Sequence, residues 1–147
     1  MKIILTEEQL KLVKMIKENA DYVSRVKSAI TKLKDEVNKL YSVVTFTTIA
    51  EIRDNDSDVD VMKQKVDVLS DKKDNLDNKV NDFEQANMSQ DGDWNNPQAE
   101  KDYNDMDMAL YHLSPKIYAL DNIIDGMIAV SELENHEPFK DVKPTSI

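Results

Sequence analysis

The amino-acid sequence predicts an all-α protein: three long helices in an up-down-up bundle or coiled-coil hairpin, the third kinked near Pro115. Three observations carry that expectation. Apolar residues recur at alternating intervals of three and four through long stretches, the period that keeps one stripe of a helix against a partner. Only two glycines and four prolines occur in 147 residues, too few for the turns of an all-β fold. Charged residues make up 33% and apolar residues 40%, a balance that suits thin, surface-rich helix packing better than a thick core.

The first helix is expected over about 6–52. Thr6-Glu7-Glu8-Gln9 matches the capping box, in which Thr6 accepts from a first-turn N–H while Gln9 reaches back; Leu5 and Leu10 can staple that start. From there Leu12, Ile16, Asn19, Val23, Val26, Ile30, Leu33, Val37, Leu40 and Val44 form an unbroken heptad seam. Val13, Met15, Ala20, Tyr22, Ala29 and Tyr41 widen the apolar face, as in a helix that touches two neighbours. The β-branched run 43–49 weakens the helix, and the polar run 54–58 bonds its own backbone, so the chain is expected to reverse at 53–58. A tighter turn at 45–47, with Thr48 and Glu51 forming a second capping box, is the alternative.

The second helix is expected over 57–88, with Val59, Met62, Val66, Leu69, Leu76, Val80 and Phe83 on a narrow seam that Lys73 interrupts. Lys73 and Asn19, polar at seam positions, either set register or mark where a short seam meets solvent. Asn96-Pro97 supplies an N-cap and a first-turn proline for a third helix over 97–134. Its seam is Tyr103, Met106, Leu110, Leu113, Ile117, Leu120, Ile124 and Met127, and Ser114-Pro115 either kinks it or caps a new helix. Residues 1–134 thus form a single helical domain, and 135–147, with Pro138 and Pro144, is expected to be a flexible tail.

Composition narrows the function classes. With no cysteine there is no disulfide framework, thiolate zinc site or cysteine nucleophile, which fits a reducing cytoplasm. The opening Met-Lys-Ile-Ile-Leu is short for a signal-peptide core, and no apolar run has the length of a membrane span, so a cytoplasmic location is expected. A net charge of −10 repels phosphates and anionic lipid, which disfavours direct nucleic-acid or membrane binding. Residues 1–50 carry nine Lys/Arg against six Asp/Glu, while 51–98 carry six against thirteen and 99–147 four against ten. A basic first segment can therefore lie against two acidic ones.

No cofactor is expected, since Gly92 and Gly126 stand alone and offer no phosphate-cradling loop. Nor is an enzyme: most acids fall on outward helix positions, and no nucleophile and base are paired by motif. Asp91, Asp93, Asn95 and Asp102 stand at positions 1, 3, 5 and 12 of a calcium-loop pattern, but Asn96 holds the glycine position and Asp102 is shorter than the usual glutamate. His112 and His136 have no metal-ligand spacing, and Glu132 with His136 makes only two ligands. Trp94, alone in a polar turn, either anchors a partner or closes the end of the bundle. The row Asp60, Asp67, Asp71, Asp74 and Asp77 is either a solvated face or a duplex-like row of negative charge offered to a basic protein.

The opening Met1-Lys-Ile-Ile-Leu-Thr-Glu-Glu-Gln-Leu-Lys-Leu-Val and the Lys/Asp/Asn-rich style after it resemble small accessory proteins encoded by phages and prophages of low-GC Gram-positive bacteria. The resemblance lies in the opening segment and in composition, and it carries over no functional residue. It implies a protein that acts by binding in the host cytoplasm, as a tail or assembly accessory or as an inhibitor of host defence. The leading expectation is a non-enzymatic helical interaction or scaffold protein, with a protein partner or a second copy on an open seam. The alternatives are an acidic inhibitor that mimics nucleic acid and, third, a calcium-dependent module.

Overall fold

The capping box forms at the head of the chain: the Thr6 N–H donates to Gln9 Oε1 at 2.9 Å, and the Gln9 N–H donates to Thr6 Oγ1 at 3.1 Å. Two of the first-turn donors that a helix leaves without partners are thereby satisfied. The computed structural model describes residues 4–45 and 56–134, which form α1 (Glu7–Thr45), α2 (Asp56–Asn87) and α3 (Pro97–Glu134).

Cross-helix contacts fix the directions. Tyr22 Oη donates to the Lys79 carbonyl at 2.8 Å, and Lys72 Nζ donates to Glu36 at 2.8 Å, so α2 descends as α1 rises. Lys63 reaches Asp121 and Asp125, while Trp94 packs on Tyr103 at the other end, so α3 turns back along α2. Lys27 meets Asp105 at 3.5 Å, which sets α1 and α3 parallel. The result is the up-down-up bundle, and every pair of helices is in contact.

The heptad seams converge on the axis. Val23, Val26, Ile30, Leu33, Val37, Leu40 and Val44 of α1 are buried against Val59, Met62, Val66, Leu69, Leu76, Val80 and Phe83 of α2 and against α3 from Met106 to Ile124. Each such side chain removed from water contributes about 1.5–3 kcal/mol, and this term holds helices of this length together.

Three expectations need correction or placing. Asp56 is already helical in α2, one residue before the helix expected over 57–88, so the polar run 56–58 that also read as part of the turn opens the helix; Asp and Ser disfavour a helix interior but are at home in its first turn. The reversal itself, whether at 53–58 or at 45–47, falls mainly outside the described residues, as does the tail 135–147. Ser114 does not cap a new helix, because α3 runs continuously through Pro115. Pro115 is exposed and Tyr111, whose carbonyl it orphans, is 67% exposed, so water can satisfy that oxygen.

Between α2 and α3 the chain closes tightly. Met88 and Trp94 form an antiparallel bridge, the Ser89 N–H donates to the Asp93 carbonyl at 2.8 Å, and Gly92 takes φ +83° to complete the turn. Asn96 Oδ1 then accepts the Ala99 N–H at 2.8 Å and starts α3. Among the described residues no helix is long and apolar enough to cross a membrane.

Candidate functional site

The seam of α1 does not stop where its partners do. Asn19 Nδ2 donates to Asn87 Oδ1 at 2.7 Å, and Asn87, 2% exposed, donates onward to the Phe83 carbonyl at 2.9 Å. Asn87 is the last residue of α2, so this clasp marks the end of the α1–α2 pairing. On the N-terminal side of it the same heptad positions turn outward to solvent: Leu12 and Ile16 are each 47% exposed, beside Leu10 and Val13 at 54%. An apolar stripe about three turns long thus projects beyond the bundle, continuous with the core seam.

Its base opens into a groove between α1 and the head of α3. The groove encloses about 820 Å³ and is lined by Ile16, Ala20, Val23 and Lys27 on one side and by Asn96 and Asp102 on the other. Asn96 spends its oxygen on the helix cap, while its side-chain nitrogen is buried with no acceptor among the described residues. A buried donor left so costs about 1–3 kcal/mol.

The expected acidic row is divided by the fold. Asp67 and Asp74 line the α2–α3 groove with Asp121, and Asp60 stands one heptad before Asp67. Asp71 is exposed, and Asp77 turns to Lys73 at 2.6 Å. Lys63 sits among Asp67, Asp121 and Asp125, and the hydrogen bonds to Asp121 and then Asp125 hold its ammonium above the ordinary lysine range. Lys73, 17% exposed, buries its stem beside Val66 and Ile117 and keeps its charge at Asp77.

The remaining candidates resolve locally. Asp91, Asp93 and Asn95 belong to the tight turn and Asp102 lies on α3, where Gln98 Nε2 donates to it at 2.9 Å. Among the described residues no three His, Cys, Asp or Glu side chains are gathered for a metal ion, so Asp91, Asp93 and Asp102 do not converge. Trp94 is half-buried and packs on Tyr103 with ring centroids 5.2 Å apart, closing the end of the bundle. The Tyr103 phenol is pushed up to about 12, first by its hydrogen bond to Glu84 and then by burial. His112 lies edge-on to Tyr111, and His136 is outside the described residues.

Leu12 and Ile16 read in the sequence as ordinary seam members, because heptad spacing carries no information on where their partner helices end. Comparison with protein-family models, curated proteins and solved structures finds no match.

Proposed function

We propose that this chain is a non-enzymatic helical interaction protein that self-associates through the projecting start of α1, as part of a scaffold. The exposed continuation of a core seam in Leu12 and Ile16 carries the reading. Stripes of that length are rarely left bare on a monomer. The charges beside the stripe are self-complementary: Glu7 and Glu8 open the segment and Lys11, Lys14 and Lys17 follow. Two copies crossing antiparallel set the acids of one against the lysines of the other, around a two-fold axis near Leu12. The adjoining groove between α1 and the head of α3 gives the entering helix a second surface to pack on.

Sedimentation equilibrium tests this. The wild type is expected to exceed the 16.9 kDa of one chain at high concentration, and Leu12→Glu with Ile16→Glu to return it to one chain with unchanged helicity. A wild type that stays at one chain at hundreds of micromolar sinks the proposal.

A second reading rests on the placement of Asp60, Asp67 and Asp74 in one heptad row facing Asp121. It makes the α2–α3 side an acidic mimic of nucleic acid that blocks a basic protein, the phage-encoded inhibitor being one version. Binding to such a partner would weaken steeply with salt and be relieved by charge reversal at Asp67, Asp71 and Asp74. An interaction indifferent to salt removes it.

A further inference from the structure

The third groove, between α1 and α2 on the side away from α3, has a different character from the rest of this acidic molecule. Lys32 and Lys39 of α1 line it one heptad apart, and Lys65, Lys72 and Lys79 line the α2 side at the same spacing. Arg25 continues the α1 row by one more heptad. Glu36 is the one acid lining it among the described residues, and Lys72 already holds that carboxylate at 2.8 Å. Between these rows lies an apolar floor in which Val43, Val61 and Val68 are 51%, 44% and 50% exposed, with Leu40 and Leu69 buried beneath them. The larger part of the groove encloses about 530 Å³.

We infer that this groove is the seat of a fourth helix: an acidic amphipathic helix of another protein, its apolar stripe on Val43, Val61 and Val68 and its carboxylates on the two lysine rows. Two antiparallel helices with a second set of heptad-spaced apolar positions offer the holes into which a further helix packs its knobs. Val61 and Val68 are one such pair on α2, and Ala29 and Val43 share a row of α1 in which Glu36, held by Lys72, stands between them. Flanking charges in such assemblies choose the partner, and two cationic rows select a helix with Asp or Glu on both margins. A polyanion without an apolar stripe would leave the valines bare. The lining of the groove runs from Ala29 to Val43 along α1, about 21 Å, which calls for a partner helix of about four turns. The site is separate from the α1 projection, so either can fail alone.

The test uses the full chain carrying Leu12→Glu and Ile16→Glu, so that self-association does not enter. The probe is a synthetic, fluorescein-labelled peptide of about four helical turns, with leucines at three-four spacing and glutamates on both margins. Its controls are a twin with lysine for every glutamate and a scrambled peptide of the first composition. The glutamate peptide is expected to bind at least about tenfold tighter than either control, and to lose about tenfold with Val68→Asp. Lys65→Glu with Lys72→Glu is expected to invert the preference toward the lysine twin. All three positions are exposed, and circular dichroism checks that each variant stays helical. No binding by the glutamate peptide, equal binding of the two twins, or indifference to the substitutions overturns the inference. So does displacement by a peptide of residues 135–147, which would assign the groove to the chain itself. Equal retention of the protein on phosphatidylserine vesicles or duplex DNA would also overturn it.

Discussion

The two glycines of this chain offer a test in which the same substitution must act in opposite directions. A methyl group built on either Gly92 or Gly126 meets nothing within 4 Å, so contact alone predicts no difference between them. Backbone conformation separates them. Gly126 lies on the exposed side of α3 in its interior, where glycine costs about 0.5–1 kcal/mol relative to alanine because the unfolded chain has more freedom to lose. Gly126→Ala should therefore stabilise by about that amount, roughly 2–4 °C in melting temperature for a full kcal/mol in a chain of this size. Gly92 holds φ +83°, which costs an L-residue about 1–2 kcal/mol, offset by the about 0.4–1 kcal/mol that any Gly→Ala change takes from the unfolded state. The balance for Gly92→Ala is a loss of about 1 kcal/mol, and Gly92→Asn should lose less, because asparagine tolerates that region. Urea unfolding followed by helical circular dichroism reads both. A lowered midpoint for Gly126→Ala, or a raised one for Gly92→Ala, would refute the backbone account of these two sites.

Three further tests probe the bundle. Asn87→Leu leaves the Asn19 amide partly buried without its acceptor and should cost about 1–3 kcal/mol, whereas Asn19→Leu with Asn87→Leu together should cost less, as a double-mutant cycle in urea can resolve. Pro115→Ala restores a donor to the Tyr111 carbonyl and should raise the melting temperature, by up to about 3 kcal/mol of stability if the helix there is otherwise regular. Tyr103 has a folded-state pKa raised from 10.0 to about 12, so the neutral phenol is the form that folding favours. Its contribution is complete below about pH 10 and is lost as pH rises from 10 toward 12; Tyr103→Phe should flatten that loss in urea midpoints measured across the range.

The core was legible because heptad spacing is a statement about geometry. Seam residues from Val23 to Val44 could face a partner only by sharing one stripe, and they do. The helix starts were legible for the same reason: the Thr6–Gln9 capping box and the Asn96 N-cap on Ala99 are local pairs whose bonds need no tertiary information. Helix ends in polar runs were less so, since Asp56 and Ser57 suit a turn and a first helical turn equally well. The exposed stripe and the grooves were hidden for another reason. Leu12 and Val26 have the same sequence credentials, and only the length of the neighbouring helices makes one exposed and the other buried. The lysine rows were hidden too, because Lys39 and Lys65 come together only through the antiparallel pairing of α1 with α2.

That pairing changes what the net charge of −10 means. On α2 the row Lys65, Lys72 and Lys79 and the row Asp60, Asp67 and Asp74 lie on different sides of one helix, toward α1 and toward α3 respectively. A helix with its side chains is about 10–12 Å across, while the screening length at physiological salt is about 8 Å. At that salt a partner seated in the α1–α2 groove responds chiefly to the lysines before it and little to the carboxylates behind. At about 0.01 M salt the screening length grows to about 30 Å, and the acidity of the whole molecule reaches the same partner. At about 1 M it shrinks to about 3 Å, and the lysines themselves are masked. Capture of an acidic helix should therefore be tightest at intermediate ionic strength and fall on both sides. A basic partner on the α2–α3 side, attracted by local and overall charge alike, should weaken continuously as salt rises. The shape of the salt dependence, more than its size, identifies which face of α2 is in use.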